Sequence, residues 1–212
     1  MIFPKKEALF MLIVNTAFIV LCIIRFFSYH ETLFIDINKP PLDTSTPIYQ
    51  WLTNSAWLLN FIIFIALYRV LIKFSERSWI KLSVVIFLIL KLLIIILLVT
   101  ASFTPQFSIT KGYSMLKIIN GINIVINLNM SLSFLFIRDP VIKKYYVIFA
   151  ILMFIIYFFQ YLGPTLYDDF SQRWAWINLE MLICIAHVST LFLWAKLFDL
   201  ANKNYEITAP KA

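Results

Sequence analysis

Apolar residues dominate the chain in six blocks, each about 20 residues long and separated by short polar segments. A helix needs about 20 apolar residues to cross the hydrocarbon core of a bilayer. None of the blocks alternates between polar and apolar residues as the strands of a membrane barrel do, so helices are the structures that fit. The pattern predicts transmembrane helices over approximately residues 8–27, 49–71, 80–102, 117–137, 145–162 and 174–197.

Proline and glycine mark where these helices are interrupted, and they are almost absent from the blocks. All eight prolines lie outside the predicted spans, and of the three glycines only Gly121 lies within one. Many secondary transporters bind their substrate at helices broken by these residues, whereas this chain should have continuous ones. The short basic turn RDPVIKK, which contains Pro140, predicts that spans four and five are antiparallel neighbours. The sequence therefore predicts an all-α protein with one transmembrane domain over residues 1–212, a bundle of six helices.

Composition agrees with this reading and excludes several classes of protein. Hydrophobic residues make up 62% of the chain and charged residues 14%, against about 45–50% and about 25% in soluble domains. The blocks leave no room for a soluble catalytic domain. The sequence also contains no Gly-x-Ser-x-Gly, no phosphate-binding glycine loop and no Cys-x-x-Cys, so no catalytic residue is identified and an enzyme is the less favoured reading.

The formal net charge of +7 comes from basic residues that cluster on one side of the predicted membrane. The termini and the turns after spans two and four hold twelve of them: Lys5, Lys6, Arg69, Lys73, Arg77, Lys81, Arg138, Lys143, Lys144, Lys196, Lys203 and Lys211. The opposite side holds five: Arg25, Lys39, Lys111, Lys117 and Arg173. Cytoplasmic loops are enriched in Lys and Arg, so both termini are predicted to be cytoplasmic, with the protein in the plasma (inner) membrane. The same enrichment explains the charge without a nucleic-acid partner.

Span six contains an acid and an imidazole within an apolar segment. Glu180, Cys184 and His187 follow one another at helical spacing and share one face. Span three contains Lys91 at a similar depth, too far from either surface for its side chain to reach water. Ionisable groups inside a membrane are costly and face the protein interior, so a contact of Lys91 with Glu180 or His187 is predicted. The alternatives are a hydrated acid near the interface, a neutral buried imidazole and an ion pair with only a structural role.

Span four carries a stripe of carboxamides. Asn120, Asn123 and Asn127 fall at positions i, i+3 and i+7, and Ser131 continues the same face. One interpretation is that the stripe lines a polar cavity and replaces the hydration of a solute. The other is that the asparagines only hydrogen-bond neighbouring helices, as such residues often do in membranes.

The sequence predicts neither a metal ion nor another cofactor. Glu180, Cys184 and His187 offer three kinds of metal ligand on one face, but a tight ligand motif such as His-Glu-x-x-His is absent. Besides His187, the chain has one other histidine, His30, which lies in a predicted outer loop, so a pair of histidines at depths suited to haem is missing.

These residues lead to one functional hypothesis and two alternatives. The first is binding or translocation of a small polar solute or ion through an outward-facing cavity, in which His187 would relay protons. The residues predicted to line this cavity are Lys91, Asn120, Asn123, Asn127, Glu180 and His187. The second is a non-catalytic membrane subunit or assembly protein, with other membrane subunits as partners beside the lipid bilayer. The third is an integral-membrane enzyme that acts on a lipid-linked substrate.

Overall fold

The computed structural model describes the backbone of residues 4–35, 47–103, 109–166 and 169–203 and the side chains of residues 4–27, 51–96, 121–159 and 181–203. Within these ranges the chain is helical and contains no strand, which confirms the predicted all-α class. The helices are α1 (Lys5–Ile35), α2 (Pro47–Lys73), α3 (Ser78–Phe103), α4 (Ile109–Phe134), α5 (Pro140–Leu166) and α6 (Asp169–Asn202).

Five helices contain segments long and apolar enough to cross a membrane. These are Lys5–Phe27, Trp51–Lys73, Ser78–Ile96, Pro140–Phe159 and Met181–Asn202. Large apolar side chains also face outward on every helix: Phe10, Trp51, Ile89, Val125, Ile148 and Phe192 are examples. Such a surface is stable against lipid tails and not against water, so this is an integral membrane protein.

The fourth predicted span, residues 117–137, stays a prediction as a membrane crossing. The described side chains of α4 form only the shorter apolar segment Gly121–Phe134. In its position α4 resembles the other helices, since it packs against α3 on one side and α5 on the other.

Helices that follow one another in the chain pack together, and α1 also packs against α6. Antiparallel neighbours are the expected result of the short connections at Phe74–Arg77 and Leu135–Asp139. The predicted pairing of spans four and five is confirmed by the packing of α4 against α5. The contact between α1 and α6 is the most extensive, although the two helices are the farthest apart in sequence.

An aromatic layer fills the space between the helices. Phe64, Phe87 and Phe149 are each 1% exposed, and each lies nine residues from the turn-side end of its helix. The ring centroids of Phe64 lie 4.4 Å from those of Phe87 and 5.7 Å from those of Phe149. Because nine residues span about 14 Å of helix, this layer crosses the molecule near the middle of a bilayer.

The turn between α2 and α3 ends α2 in a Schellman motif. The backbone N–H of Glu76 donates to the carbonyl of Leu71 at 3.0 Å, and that of Ser75 donates to Ile72 at 3.0 Å. Ser75 has a φ of 53°, the left-handed conformation that this motif requires and that glycine usually supplies.

The turn between α4 and α5 is fixed by Asp139, the N-cap of α5. Its Oδ1 accepts the backbone N–H of Val141 at 2.8 Å. Pro140 occupies the first helical position, where its missing N–H costs nothing and its fixed φ suits the helix. The helix therefore begins at Pro140, several residues before the predicted span.

Candidate functional site

Lys91 lies on α3, thirteen residues after the start of the helix at Ser78, or about 20 Å along its axis. Its side chain is buried, with the residue 7% exposed. The ammonium nitrogen lies 4.6 Å from the ring centroid of Trp57 and 5.2 Å from that of Phe87. A desolvated ammonium over an aromatic face gains roughly 2 kcal/mol, so these rings hold the charge where water does not reach.

A pocket surrounds this ammonium at the seam between α2 and α3. The space that it encloses is about 10 Å³, which is room for about one water molecule. Its lining is Trp57, Asn60, Phe61, Phe64, Phe87, Lys91 and Ile95. The side-chain oxygen of Asn60 is buried and has no hydrogen-bond partner in the described part of the chain. The pocket thus combines one cation and one amide with aromatic walls.

Lys91 has no acidic partner among the described side chains. The side chain of Glu180 lies outside the described residues, so the predicted Lys91–Glu180 contact stays a prediction. The other predicted contact, with His187, is not a hydrogen bond, because neither ring nitrogen of His187 has a partner within the described ranges.

His187 sits in the aromatic layer, on the face of α6 that meets α1 and α5. It is 0% exposed. Its ring centroid lies 4.3 Å from that of Phe18 and 5.4 Å from that of Phe149, the latter in an edge-to-face arrangement. Aromatic neighbours on two sides keep the imidazole dry.

The backbone carbonyl of His187 is part of a polar link between α1 and α6. Asn15 donates its Nδ2 hydrogen to this carbonyl at 2.8 Å. The Thr190 hydroxyl lies 2.8 Å from the same carbonyl and 3.0 Å from the Oδ1 of Asn15, and shares its one proton between them. Asn15 is 0% exposed, so these hydrogen bonds join the first and last helices at a position that water does not reach.

The asparagine stripe on α4 faces inward where its side chains are described. Asn123 is 8% exposed and Asn127 is 0% exposed. The Nδ2 of Asn127 donates to the Asn123 Oδ1 at 2.8 Å and to the Asn123 backbone carbonyl. The Oδ1 of Asn127 and the Oγ of Ser131 are buried and have no partner in the described part of the protein. The side chain of Asn120 lies outside the described residues.

Sequence reasoning missed two acids that organise the turn side of the molecule. Glu76 is 4% exposed, and its carboxylate accepts the backbone N–H groups of Arg138, at 3.1 Å, and Asp139, at 2.9 Å. Glu7 lies 3.1 Å from the ammonium of Lys73 and 3.2 Å from the guanidinium of Arg69. In the sequence, the one signal that Glu7 and Glu76 bind partners is that each lies close to several basic residues.

Residues that could hold a metal ion do not gather in the described part of the chain. No group of three His, Cys, Asp or Glu side chains with suitable spacing occurs there. Because Glu180 was a member of the candidate set and its side chain is not described, the expectation that no metal binds stays a prediction.

Comparison of the chain with protein families, with curated proteins and with solved structures finds no match.

Proposed function

We propose that this integral membrane protein binds or translocates a small polar solute or ion. The proposal includes a bundle of six transmembrane helices with both termini in the cytoplasm, and a polar cavity that faces outward. The basic residues around the α2–α3 and α4–α5 turns support that orientation, since positively charged segments stay in the cytoplasm.

Lys91 is the observation that carries the proposal. A lysine that is 7% exposed in the middle of an apolar helix is costly, by roughly 2.5–3.5 kcal/mol on insertion scales. Such a residue is retained where it pairs, or where it meets a solute. Among the described residues Lys91 meets two aromatic rings and a pocket, which supports an interaction with a solute.

The other residues proposed to line the cavity are supported by the structure to different degrees. Asn127 and Ser131 have buried polar atoms without partners in the described ranges, as the lining of a polar path would. Asn123 is engaged by Asn127, and Asn120 and Glu180 belong to the proposal from the sequence alone. His187 could accept or release a proton only after the aromatic side chains around it move.

A non-catalytic membrane subunit is the second candidate. The observation that favours it is the close packing of His187 and the self-pairing of the asparagines, both of which a purely structural role explains. In that case the partners would be other membrane subunits rather than a solute.

Thiol accessibility separates the two candidates. After removal of Cys22 and Cys184, single cysteines replace Asn123 or Asn127, and a charged methanethiosulfonate is added from outside to intact cells. In a solute pathway these positions should react at least tenfold faster than a cysteine at Val125, whose side chain is 64% exposed on the lipid side. Equal protection at all three positions would contradict the cavity and favour the subunit.

A further inference from the structure

One asparagine of α4 faces the lipid, whereas its neighbours Asn123 and Asn127 turn inward and bond to each other. This residue, Asn129, is exposed, and its amide makes no hydrogen bond within the described part of the chain. We infer that Asn129 pairs with the same residue of a second copy of this chain, and that the lipid-facing side of α4 is the interface of a homodimer. The inference goes beyond the proposed function and does not depend on it.

The depth of Asn129 makes its exposure costly. The hydroxyl groups of Ser83, near the start of α3, and Ser133, near the end of α4, are joined by a hydrogen bond of 2.7 Å. Four residues away from that bond, toward the opposite side of the membrane, Phe87 and Asn129 lie at the same height. Phe87 belongs to the aromatic layer near the middle of the bilayer. The Asn129 amide therefore faces hydrocarbon, where a polar group without a partner is unfavourable.

A second polar residue that faces the lipid, Thr16 on α1, shows how such a group can be satisfied within one chain. Its hydroxyl donates to the backbone carbonyl of Leu12 at 2.8 Å. Asparagine can bond to its own helix in a similar way, as Asn127 does with the carbonyl of Asn123. Asn129 makes no bond of this kind in the described part of the chain, so its partner has to come from another molecule.

Apolar side chains lie beside Asn129 on the same face of α4. Ile122, Val125 and Leu132 are 47%, 64% and 44% exposed. Together with Asn129 these residues form the α4 seam, in which successive members are three, four and three residues apart. This is the heptad spacing by which two helices pack side by side. Apolar residues on the exposed face of α3 have similar spacing, so the spacing permits an interface and the amide locates it on α4.

A second copy of the chain fits this seam because of the way in which the copies insert. Basic residues concentrate at the turns, so each copy has its turns on the same side of the membrane. Two copies related by a two-fold axis then have that axis along the membrane normal, and their α4 helices run parallel.

In a parallel pair, each residue of the α4 seam meets its own counterpart at the same height. The amide of asparagine has both donors and an acceptor, so the two Asn129 side chains can satisfy each other. In coiled coils a single asparagine at such a position fixes the register and the number of helices. The apolar residues of the seam would pack above and below this bond.

A single cysteine reports which face of the protein meets the second copy. In a chain without Cys22 and Cys184, Val125→Cys places a thiol on the α4 seam, one turn from Asn129. Oxidation with copper phenanthroline in isolated membranes should link two copies, because paired seam residues lie within the Cα separation of about 4.4–6.8 Å that a disulfide needs. Ile89→Cys is the matched control, since it lies on α3 with a similar exposure of 55%, and should stay monomeric.

The strength of the dimer tests the amide itself. Full-length copies that carry a donor or an acceptor dye on Asn202→Cys, in the same cysteine-free chain, are reconstituted into phosphatidylcholine vesicles. Energy transfer between copies is then followed as lipid is added. Asn129→Leu should raise the dissociation constant about tenfold, as expected for an amide hydrogen bond between membrane helices. Asn129→Gln keeps an amide and should stay within about threefold.

Thr16→Val is the control for loss of a lipid-facing polar group, because its hydroxyl is already bonded within α1. It should leave the dissociation constant within about twofold. Asn129→Leu should also leave the stability of the monomer unchanged, since the amide has no partner in the described part of the chain. A weaker dimer of this variant therefore reports on the interface and not on the fold.

The inference is wrong if energy transfer shows no dimer, or if Asn129→Leu dissociates at the same lipid concentration as the unaltered protein. It is also wrong if Ile89→Cys forms the disulfide-linked dimer in place of Val125→Cys, or if Val125→Cys links only to a protein of different mass. The last result would indicate a different membrane subunit as the partner. None of these results depends on the accessibility of Asn123 or Asn127, so the homodimer and the proposed solute pathway can fail independently.

Discussion

Glu76 should contribute strongly to the stability of the protein, because it joins the α2–α3 turn to the α4–α5 turn, which is far away in the sequence. Its carboxylate, in a residue 4% exposed, accepts the backbone N–H groups of Arg138 and Asp139 at 3.1 Å and 2.9 Å. Replacement by alanine leaves both N–H groups without their acceptor at the point where α5 begins. We therefore expect Glu76→Ala to destabilise the packing of α2 and α3 against α4 and α5.

The size of the effect follows from the two donors. A buried donor that loses its acceptor costs about 1–3 kcal/mol, which applies to the N–H of Asp139. The N–H of Arg138 makes a partly buried hydrogen bond, for which the ordinary net value of about 0.5–1.5 kcal/mol applies. The two together set a range of about 1.5–4.5 kcal/mol. Glu76→Gln keeps one accepting oxygen, and Oε1 alone reaches both N–H groups in the structure. This variant loses the charge but not the geometry, so its cost should be smaller, about 1–2 kcal/mol.

The free energy of unfolding of both variants can be measured in mixed micelles. Far-ultraviolet circular dichroism follows the reversible loss of helix as the fraction of sodium dodecyl sulfate rises. Asp199→Ala is the matched control, because it removes an acid whose carboxylate is exposed rather than buried. Asp199 lies on α6, 3.1 Å from the ammonium of Lys203, and its side chain is 45% exposed. An exposed pair of this kind contributes about 0–1 kcal/mol. If Glu76→Ala costs no more than Asp199→Ala, the two backbone hydrogen bonds do not hold the turns together and the reasoning is wrong.

Two further substitutions test local features by the same unfolding measurement. Ser75 has a φ of 53°, a left-handed conformation that is unfavourable for any residue except glycine. Ser75→Gly should therefore stabilise the protein by about 0.5–1 kcal/mol. The control Ser78→Gly, at the start of α3, should not stabilise it. Asn15→Leu removes the hydrogen bonds to His187 and Thr190 that link α1 to α6, and should cost about 1–2 kcal/mol. Asn129→Leu, at an exposed position, should stay within about 0.5 kcal/mol, and an equal loss there would contradict a role for the link.

Much of the architecture could be predicted from the order of polar and apolar residues. Backbone polar groups find no partners in lipid, so an apolar block of about 20 residues has to form a helix that satisfies its own hydrogen bonds. The same pattern predicted where helices end beside the basic turns, since Pro140 and those turns lie between blocks. On the opposite side it did not, because α1 continues to Ile35, past the predicted span 8–27, and α4 begins at Ile109, before the predicted span 117–137. The absence of proline inside the blocks predicted unbroken helices. In the described helices proline lies only near the ends: Pro47 and Pro140 begin α2 and α5, and Pro164 lies two residues before the end of α5.

The surroundings of individual polar residues could not be predicted in this way. Position in a span gives the depth of a residue along the membrane normal, but not the direction in which its helix turns it. Lys91 and His187 have similar predicted depths, yet the ammonium lies over Trp57 and Phe87 while the imidazole lies between Phe18 and Phe149.

By itself, the sequence therefore determined that the chain lies in a membrane, that it is helical, and which residues are costly there. Only the tertiary structure decided which of them meet. The Asn15–His187 bond joins residues 172 positions apart, and the Glu76 carboxylate meets an N–H group 63 positions away. Both contacts depend on how helices rotate and pack to fill space with large side chains such as Phe64 and Phe149. That packing is a collective property of all the helices, and no local pattern of residues records it.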